Sequence, residues 1–188
     1  MASGRKVVVY EFLTLDGVAE NVAGFFTEVE DNEVDDAAAA AVIASQDAVI
    51  FGRRTYDEWV GFWPGSQIEP FATFINSVPK YVATSSPLAA EWAHARAIDG
   101  GLVEFVADLK SRPGGDVGVH GSISVAQTLL AAGVVDELRL VVAQTIAGVG
   151  RRLFDGLPPI PLVPIRSVVS PSGLLILDYE VVNAQGRA

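Results

Sequence analysis

The stretch that decides the fold is DVGVHGSISVAQTLLAAG, residues 116–133. Its first part is apolar and predicts a buried strand. Ser122 then opens a helix that Gly133 closes. The first N–H groups of such a helix lack partners and carry partial positive charge. Two interpretations stay open. Either these groups bind a phosphate that Gly121 admits to the backbone, or Ser122 is only an N-cap and Gly121 a tight turn.

A second strand-to-helix junction has the same design. In FGRRTYDEW, residues 51–59, an apolar strand ends at Gly52 and a helix begins at Arg53. Arginine binds phosphate oxygens with two parallel hydrogen bonds, so Arg53, Arg54 and the Thr55 hydroxyl predict an anion site. The alternative interpretation places both arginines on a solvated helix face.

A third junction follows the strand in KYVATSSP, residues 80–87. The hydroxyls of Thr84 and Ser85 there suit a ribose or an extra phosphate, although such residues also form turns. We name these junctions the Gly121, Gly52 and Thr84 corners. Each follows the carboxyl end of a predicted strand, where open α/β sheets bind ligands, so one dinucleotide can contact all three if the strands are neighbours. No G-x-G-x-x-G follows the first strand, which argues against an ordinary Rossmann domain.

The rest of the chain also alternates strands with helices. We predict strands at 6–13, 47–52, 80–85, 116–121 and 135–146, a short strand near 96–98, and helices at 33–46, 53–62, 71–78, 101–112 and 122–133. A final antiparallel hairpin surrounds a Ser-Pro-Ser-Gly turn within 162–182, and the Pro-rich stretch 157–164 is expected to end before it. This pattern predicts an α/β fold: a mixed, mainly parallel sheet with helices on both faces.

Composition limits the classes of function. The 188 residues predict a single domain, 1–188, ordered from about 5 to 183. A net charge of -10 argues against nucleic-acid or anionic-membrane partners, which need clustered basic side chains. There is no cysteine, and the two histidines lie in unrelated elements, so we predict no metal site. We see no signal peptide or spanning segment and expect a cytoplasmic protein.

Five motifs in this order and spacing carry a family resemblance. They are TLDG at 14–17, GRRTYDEW at 52–59, YVATSS at 81–86, VHGSISVAQTLL at 119–130 and VDELRLVVAQTIAGVGRRLF at 135–154. Together they resemble the dihydrofolate reductase-like superfamily, and most closely the C-terminal reductase domain of riboflavin-pathway deaminase-reductases. The last motif is the most specific, and the similarity covers Val7–Val182. The resemblance implies a dihydrofolate reductase-like sheet, NADPH as cofactor and a homodimer.

The resemblance also implies roles for the corners. It assigns the cofactor phosphates to Arg53, Arg54 and Thr55, the adenosine end to Thr84 and Ser85, and the pyrophosphate to Gly121, Ser122 and Ile123. Leu15, Gly52 and His120 would line the cofactor cleft. Leu15, Asp16 and Gly17 would border the nicotinamide and the substrate.

The reacting end of the site has two candidate carboxyl groups. Reduction of a C=N or C=O bond needs a nearby proton, and Asp16 is the first candidate to contact the reacting atoms. The alternative makes Asp16 part of an Asp-Gly turn. Glu11 is the second candidate because it interrupts an apolar strand; its alternatives are a solvent-facing strand end or a pairing with arginine. Gly17, Phe25, Phe26 and Trp63 are candidates for the substrate pocket, although aromatic residues more often pack a core or a lid.

The chain departs from the riboflavin-pathway pattern in two places. Those reductases usually carry an acidic residue where Val119 stands and a proline where Gln144 stands. From the three corners and the resemblance together, we predict an NADPH-dependent reductase of a small planar heterocycle, such as a pyrimidinone or a pterin. Such an enzyme would be similar to 5-amino-6-(5-phosphoribosylamino)uracil reductase or dihydrofolate reductase. The alternative is a non-catalytic dimer that binds a nucleotide or small ligand on the same scaffold.

Overall fold

A computed structural model describes residues 4–26 and 40–183. Within them one sheet contains the strands β1 (Val7–Thr14), β2 (Gln46–Gly52), β3 (Lys80–Ala83), β4 (Ala95–Ala97), β5 (Asp116–His120), β6 (Glu137–Ala143), β7 (Leu162–Val169) and β8 (Leu175–Val181). The helices are α1 (Arg53–Trp59), α2 (Phe71–Ser77), α3 (Leu102–Ser111) and α4 (Ile123–Ala131). Two short 3₁₀ helices cover Val22–Phe25 and Trp63–Gly65.

The order of the strands confirms the predicted mixed sheet. Across the sheet it is β4-β3-β2-β5-β1-β6-β8-β7. The first six strands run parallel, whereas β8 pairs antiparallel with both β6 and β7. The predicted C-terminal hairpin is therefore confirmed. Because the parallel strands all end on one side, β3, β2, β5 and β1 present their carboxyl ends together; we call this side the C-terminal edge.

Helices cover both faces of the sheet, as predicted. On one face α3 and α4 pack against alternate residues of the central strands, including Val9 and Val119. On the other face α1 and α2 pack against residues such as Phe51 and Val82. The central strands are rich in β-branched residues because both of their faces are buried.

Several boundaries differ from the predictions. The helix predicted to reach residue 62 ends at Trp59, and the strand predicted over 135–146 covers only Glu137–Ala143. Strand β3 ends at Ala83 because the Thr84 hydroxyl accepts the Ser86 N–H at 3.1 Å and so forms a turn.

Two further predictions have mixed outcomes. Most of the helix predicted over 33–46 lies outside the described residues; residues 40–43 are helical and β2 already begins at Gln46. The Pro-rich stretch does not end before the hairpin, because β7 begins at Leu162 and includes Pro164. A proline is tolerated there since β7 is the edge strand and its pairing register shifts between Pro164 and Arg166. In the part of the chain that the structure describes, no helix has the length and apolar character needed to cross a membrane.

Candidate functional site

The three corners lie side by side at the C-terminal edge. They follow β3, β2 and β5, which are neighbours in the sheet. The Gly52 N–H donates to Ser122 Oγ at 2.9 Å, and Thr55 Oγ1 donates to the Gly121 carbonyl at 2.7 Å. These bonds join two of the corners directly. The condition for one dinucleotide to contact all three corners, that their strands be neighbours, is confirmed.

The start of α4 presents unpaired backbone donors. Ser122 does not cap its own helix, because its side chain accepts the Gly52 N–H instead. Its backbone N–H donates to Glu11 Oε1 at 2.7 Å. The next three N–H groups have no acceptor among the described residues; they belong to Ile123, Ser124 and Val125. Such groups at a helix N-terminus suit an anion.

Gly121 meets two conditions at once. Its φ is 58°, in the left-handed region that favours glycine. A Cβ atom at this position would lie 2.8 Å from Cζ2 of Trp59. The corner therefore needs glycine for its backbone conformation and for its close approach to α1.

The two arginines of α1 point in different directions. Arg53 donates to Asp57 at 2.7 Å and, through Nη1, to Ser86 Oγ at 3.0 Å, so it lies beside the Thr84 corner. Arg54 donates to Glu20 at 2.9 Å, in the loop that follows β1. Each also bonds a carboxylate of α1, and they separate because Arg53 reaches Ser86 whereas Arg54 reaches Glu20. That both bind the cofactor phosphates stays a prediction.

The Thr55 hydroxyl differs from its predicted role. Thr55 is buried, and its hydroxyl donates to the Gly121 carbonyl. It therefore connects α1 to the Gly121 corner rather than facing a phosphate.

A cavity opens beside the Thr84 corner. Its volume is about 460 Å³, and its lining residues are Ala83, Thr84, Ser85, Ile98, Gly100 and Leu102. Both residues predicted at the adenosine end, Thr84 and Ser85, are among them. This cavity has room for a flat heterocycle, and Arg53 binds Ser86, which follows the lining residue Ser85 in the sequence.

The Asp16 carboxylate joins the turn after β1 to the loop after β6. It accepts hydrogen bonds from the Thr14 hydroxyl at 2.6 Å and from the N–H groups of Ala147 and Gly148 at 3.0 and 2.9 Å. These donors hold the pKa of Asp16 well below its usual range. The group is ionised at neutral pH, and its contact with the reacting atoms stays a prediction. The Asp-Gly turn is confirmed, with Gly17 at φ 82°.

The structure contradicts both alternative interpretations of Glu11, a solvent-facing strand end and a pairing with arginine. Only 3% of it is exposed, so it is not a solvent-facing strand end. Among the described residues it forms an ion pair with no lysine or arginine. Burial raises its pKa to about 8, although the Ser122 N–H favours the charged form. Glu11 is thus a buried carboxylic acid that holds its proton at neutral pH.

His120 lies on the opposite face of the sheet from Glu11. Its ring is 2% exposed, and Nε2 lies 2.7 Å from Gln46 Oε1. Burial lowers the pKa of His120 to about 3, so the ring is neutral. That this side chain lines the cofactor cleft stays a prediction. Successive side chains of a strand alternate between faces, and this one turns toward α2.

A row of aromatic rings follows that face near the C-terminal edge. Neighbouring centroids are 5.1, 5.3, 5.5, 5.4 and 4.8 Å apart along the aromatic row Phe26, Phe12, Tyr10, His120, Phe71 and Trp63. Two predicted pocket residues, Phe26 and Trp63, lie at its ends. Phe12 is 37% exposed, Phe25 38% and Leu15 60%, so apolar surface remains open there.

The sequence analysis missed one cation at the site. Arg151 donates through Nη2 to Ser124 Oγ at 3.0 Å, which places a guanidinium beside the unpaired N–H groups of α4. Its neighbour Arg152 donates to the Asp16 carbonyl at 3.0 Å. The paired arginines that follow the glycines at 148 and 150, both with positive φ, were the available sequence signal.

Comparison with known proteins identifies the family. The model of the RibD C-terminal domain matches residues 5–175. The chain belongs to this family. Among curated proteins, it is 26% identical over 187 residues to YyaP of Bacillus subtilis (strain 168), a protein described as uncharacterized. The match covers 94% of this chain and 95% of YyaP. The resemblance drawn from the five motifs is confirmed.

Solved structures show the same fold. A candidate riboflavin biosynthesis protein of Shewanella sp. PV-4 has a TM-score of 0.77 at 21% identity, over 95% of this chain and 99% of that chain. A pyrimidine reductase-like protein of Corynebacterium diphtheriae has a TM-score of 0.66 at 18% identity, over 95% and 92%. A bifunctional deaminase and 5-amino-6-(5-phosphoribosylamino)uracil reductase of Thermotoga maritima has 0.68 at 17% identity, over 95% of this chain and 57% of that chain.

The described residues contain no group of three or more histidine, cysteine, aspartate or glutamate side chains placed to hold a metal ion.

Proposed function

We propose that this protein is an NADPH-dependent oxidoreductase that reduces a small planar heterocycle. The observation that carries the proposal is the set of three unpaired N–H groups at the start of α4, with Arg151 beside them. Family membership and the reductase named for the Thermotoga maritima structure support the same class of reaction.

The residues of the C-terminal edge fit this cofactor. The N–H groups of Ile123, Ser124 and Val125 would bind the pyrophosphate, assisted by Arg151. The 460 Å³ cavity would accept the adenosine end, with Arg53 beside the 2′-phosphate. When bound, the nicotinamide supplies the hydride, and the protein supplies binding and orientation.

The substrate would lie on the aromatic row. Exposed Phe12 of this row, together with exposed Phe25 next to Phe26 in the sequence, offers apolar surface at the C-terminal edge, where a planar ring can stack. The Asp-Gly turn borders this surface and is held in place by the bonds of Asp16 to residues 147 and 148. A pyrimidinone or a pterin fits such a surface.

Substitution of the arginines of α1 tests the cofactor assignment. Arg53→Ala removes the cation beside the cavity, so NADPH should bind roughly 10–100-fold more weakly, while NADH, which lacks the 2′-phosphate, should change little. Arg54→Ala is the matched control because Arg54 is directed toward Glu20. Calorimetric titration of each protein with both nucleotides gives the comparison. Equal, small losses for the two nucleotides would count against the assignment.

A specific observation supports a second candidate function, the binding of a nucleotide without catalysis. Val119 stands where riboflavin-pathway reductases usually carry an acidic residue, which favours a module that binds a nucleotide without turnover. Nicotinamide absorbance with a panel of pyrimidinones and pterins separates the two. Tight NADPH binding without oxidation by any member of the panel would favour the module.

A further inference from the structure

Glu11 lies directly beneath the start of α4. It extends from β1 on the face that α4 covers, and its Oε1 accepts the Ser122 N–H at 2.7 Å. Among the described residues, the Ser122 N–H is the one hydrogen-bond donor found for its carboxyl group. The side chain is 3% exposed and no described cation pairs with it. A buried acid therefore points at the end of the helix that we assign to the pyrophosphate.

An ionised carboxylate at Glu11 would repel the pyrophosphate. The unpaired N–H groups follow Ser122 immediately, so a phosphate on them would lie within about one helical turn, ~5 Å, of Glu11. Two negative charges at that separation repel strongly where water is scarce. A neutral carboxylic acid removes the repulsion and keeps a carbonyl oxygen for the Ser122 N–H.

We propose that Glu11 is a positioning residue that holds a proton beneath the pyrophosphate site, so that affinity for the dinucleotide falls when Glu11 ionises. The inference rests on the proposed function and adds a proton linkage to it. At a pH where Glu11 is ionised in the free protein, binding of the nucleotide must then take up protons, because the bound phosphates favour the neutral acid.

The other groups around Glu11 do not explain such a linkage. From the loops at the C-terminal edge, Asp16 and Glu20 face the site, and their hydrogen bonds lower the pKa of each, so both remain ionised above pH 7. Arg151 and Arg152 come from the loop after β6, and arginine keeps its charge in proteins.

Residues of the other strands add no such linkage. The residue paired with Glu11 on β6 is Leu140, which does not titrate. On β5, His120 has a pKa of about 3 and faces away, so it stays neutral. Lys80, with a pKa lowered to about 8 by burial, begins β3 at the opposite edge of the sheet. Glu11→Gln leaves Lys80 in place, so it separates the effect of Glu11 on the pH dependence of binding from any effect of Lys80.

The test is NADPH titration from pH 7 to 9.5 on the wild-type protein, on Glu11→Gln and on Asp108→Asn. Asp108→Asn is a control on the exposed side of α3. The 2′-phosphate of the nucleotide has a pKa near 6, so it is already ionised throughout this pH range. We expect the wild-type Kd to rise up to about tenfold per pH unit once Glu11 ionises, with the same profile in the control. Glu11→Gln, which keeps the acceptor for Ser122, should show a flat profile.

Calorimetry at pH 8.5 in buffers of different ionisation heat supplies a second readout. It should show proton uptake on binding by the wild-type protein and none by Glu11→Gln; if the variant fails to fold, uptake by the wild-type protein still decides. The same pH profile in both proteins, or binding without proton uptake, overturns this inference alone. Absence of NADPH binding at every pH overturns the proposed function, and this inference with it.

Discussion

Glu11 and His120 are buried titratable residues on opposite faces of the sheet, and both are neutral at pH 7. Burial raises the pKa of the carboxyl and lowers that of the imidazole, because low dielectric disfavours either charged form. His120 has Gln46 as a neutral partner, whereas Glu11 has only the Ser122 N–H. Stability should therefore depend on pH through both side chains, with opposite signs.

For Glu11 the folded-state pKa, about 8, lies above the ordinary value of 4.5. At this group the folded protein binds more protons than the unfolded chain between these values, so the contribution of Glu11 to stability decreases as pH rises from about 5 to 8. Glu11→Gln carries no such penalty. We expect its free energy of unfolding, relative to wild type, to rise by a few kcal/mol over this range. Urea unfolding at pH 5 and pH 8 measures the change; a difference that does not vary with pH would refute the assignment.

At the scale of elements, the Gly121 corner joins β5 to α4 against α1. Gly121→Ala combines strain at φ 58° with a contact 2.8 Å from Trp59, and we expect a loss of about 2–4 kcal/mol in unfolding free energy. Gly156→Ala is the matched control: its φ is 77°, but nothing lies within 4 Å of an added Cβ. It should lose only about 1 kcal/mol. Equal losses in thermal or urea unfolding would show that contact with Trp59 is unimportant.

The elements themselves were predictable because their signals are local. Apolar β-branched runs predicted β1, β2 and β5. The alternation of strands with helices predicted a mainly parallel sheet, whose three corners lie at one edge. The side-chain directions were not predictable in this way. Arg53 and Arg54 are adjacent in sequence, and their separation depends on Ser86 and Glu20, which lie far away in the chain.

The proton states at the candidate site depend on tertiary contacts as well. Asp16 is ionised because residues 147 and 148 donate to it, and those donors come from the loop after β6. Glu11 is neutral because α4 and the sheet bury it. Sequence spacing identifies both carboxyl groups near the site, but it contains no information on which of them keeps a proton.

At the scale of the whole molecule, β7 is an edge strand, and no other described strand pairs with its outer side. Val163, Ile165 and Val169 on this strand are 47%, 56% and 66% exposed. An apolar edge strand with unpaired backbone groups readily pairs with another chain. We propose that a second copy of this protein covers β7 and forms the homodimer that the family resemblance implies.

Light scattering after size-exclusion chromatography tests this dimer. Wild type should have twice the chain mass, and Ile165→Lys with Val169→Lys should be monomeric because two charges cannot be buried in the contact. Val149→Lys, at an 83% exposed position outside β7, is the control and should remain dimeric. A monomeric wild type, or an unchanged mass in the double variant, would exclude this interface.

The most direct measurement of the central claim is the position of NADPH in a crystal of its complex with the full chain. The account predicts the pyrophosphate on the N–H groups of Ile123, Ser124 and Val125, and the 2′-phosphate beside Arg53. It also predicts adenine in the cavity next to Thr84. A nucleotide bound away from the C-terminal edge, with the start of α4 left to solvent, would contradict it.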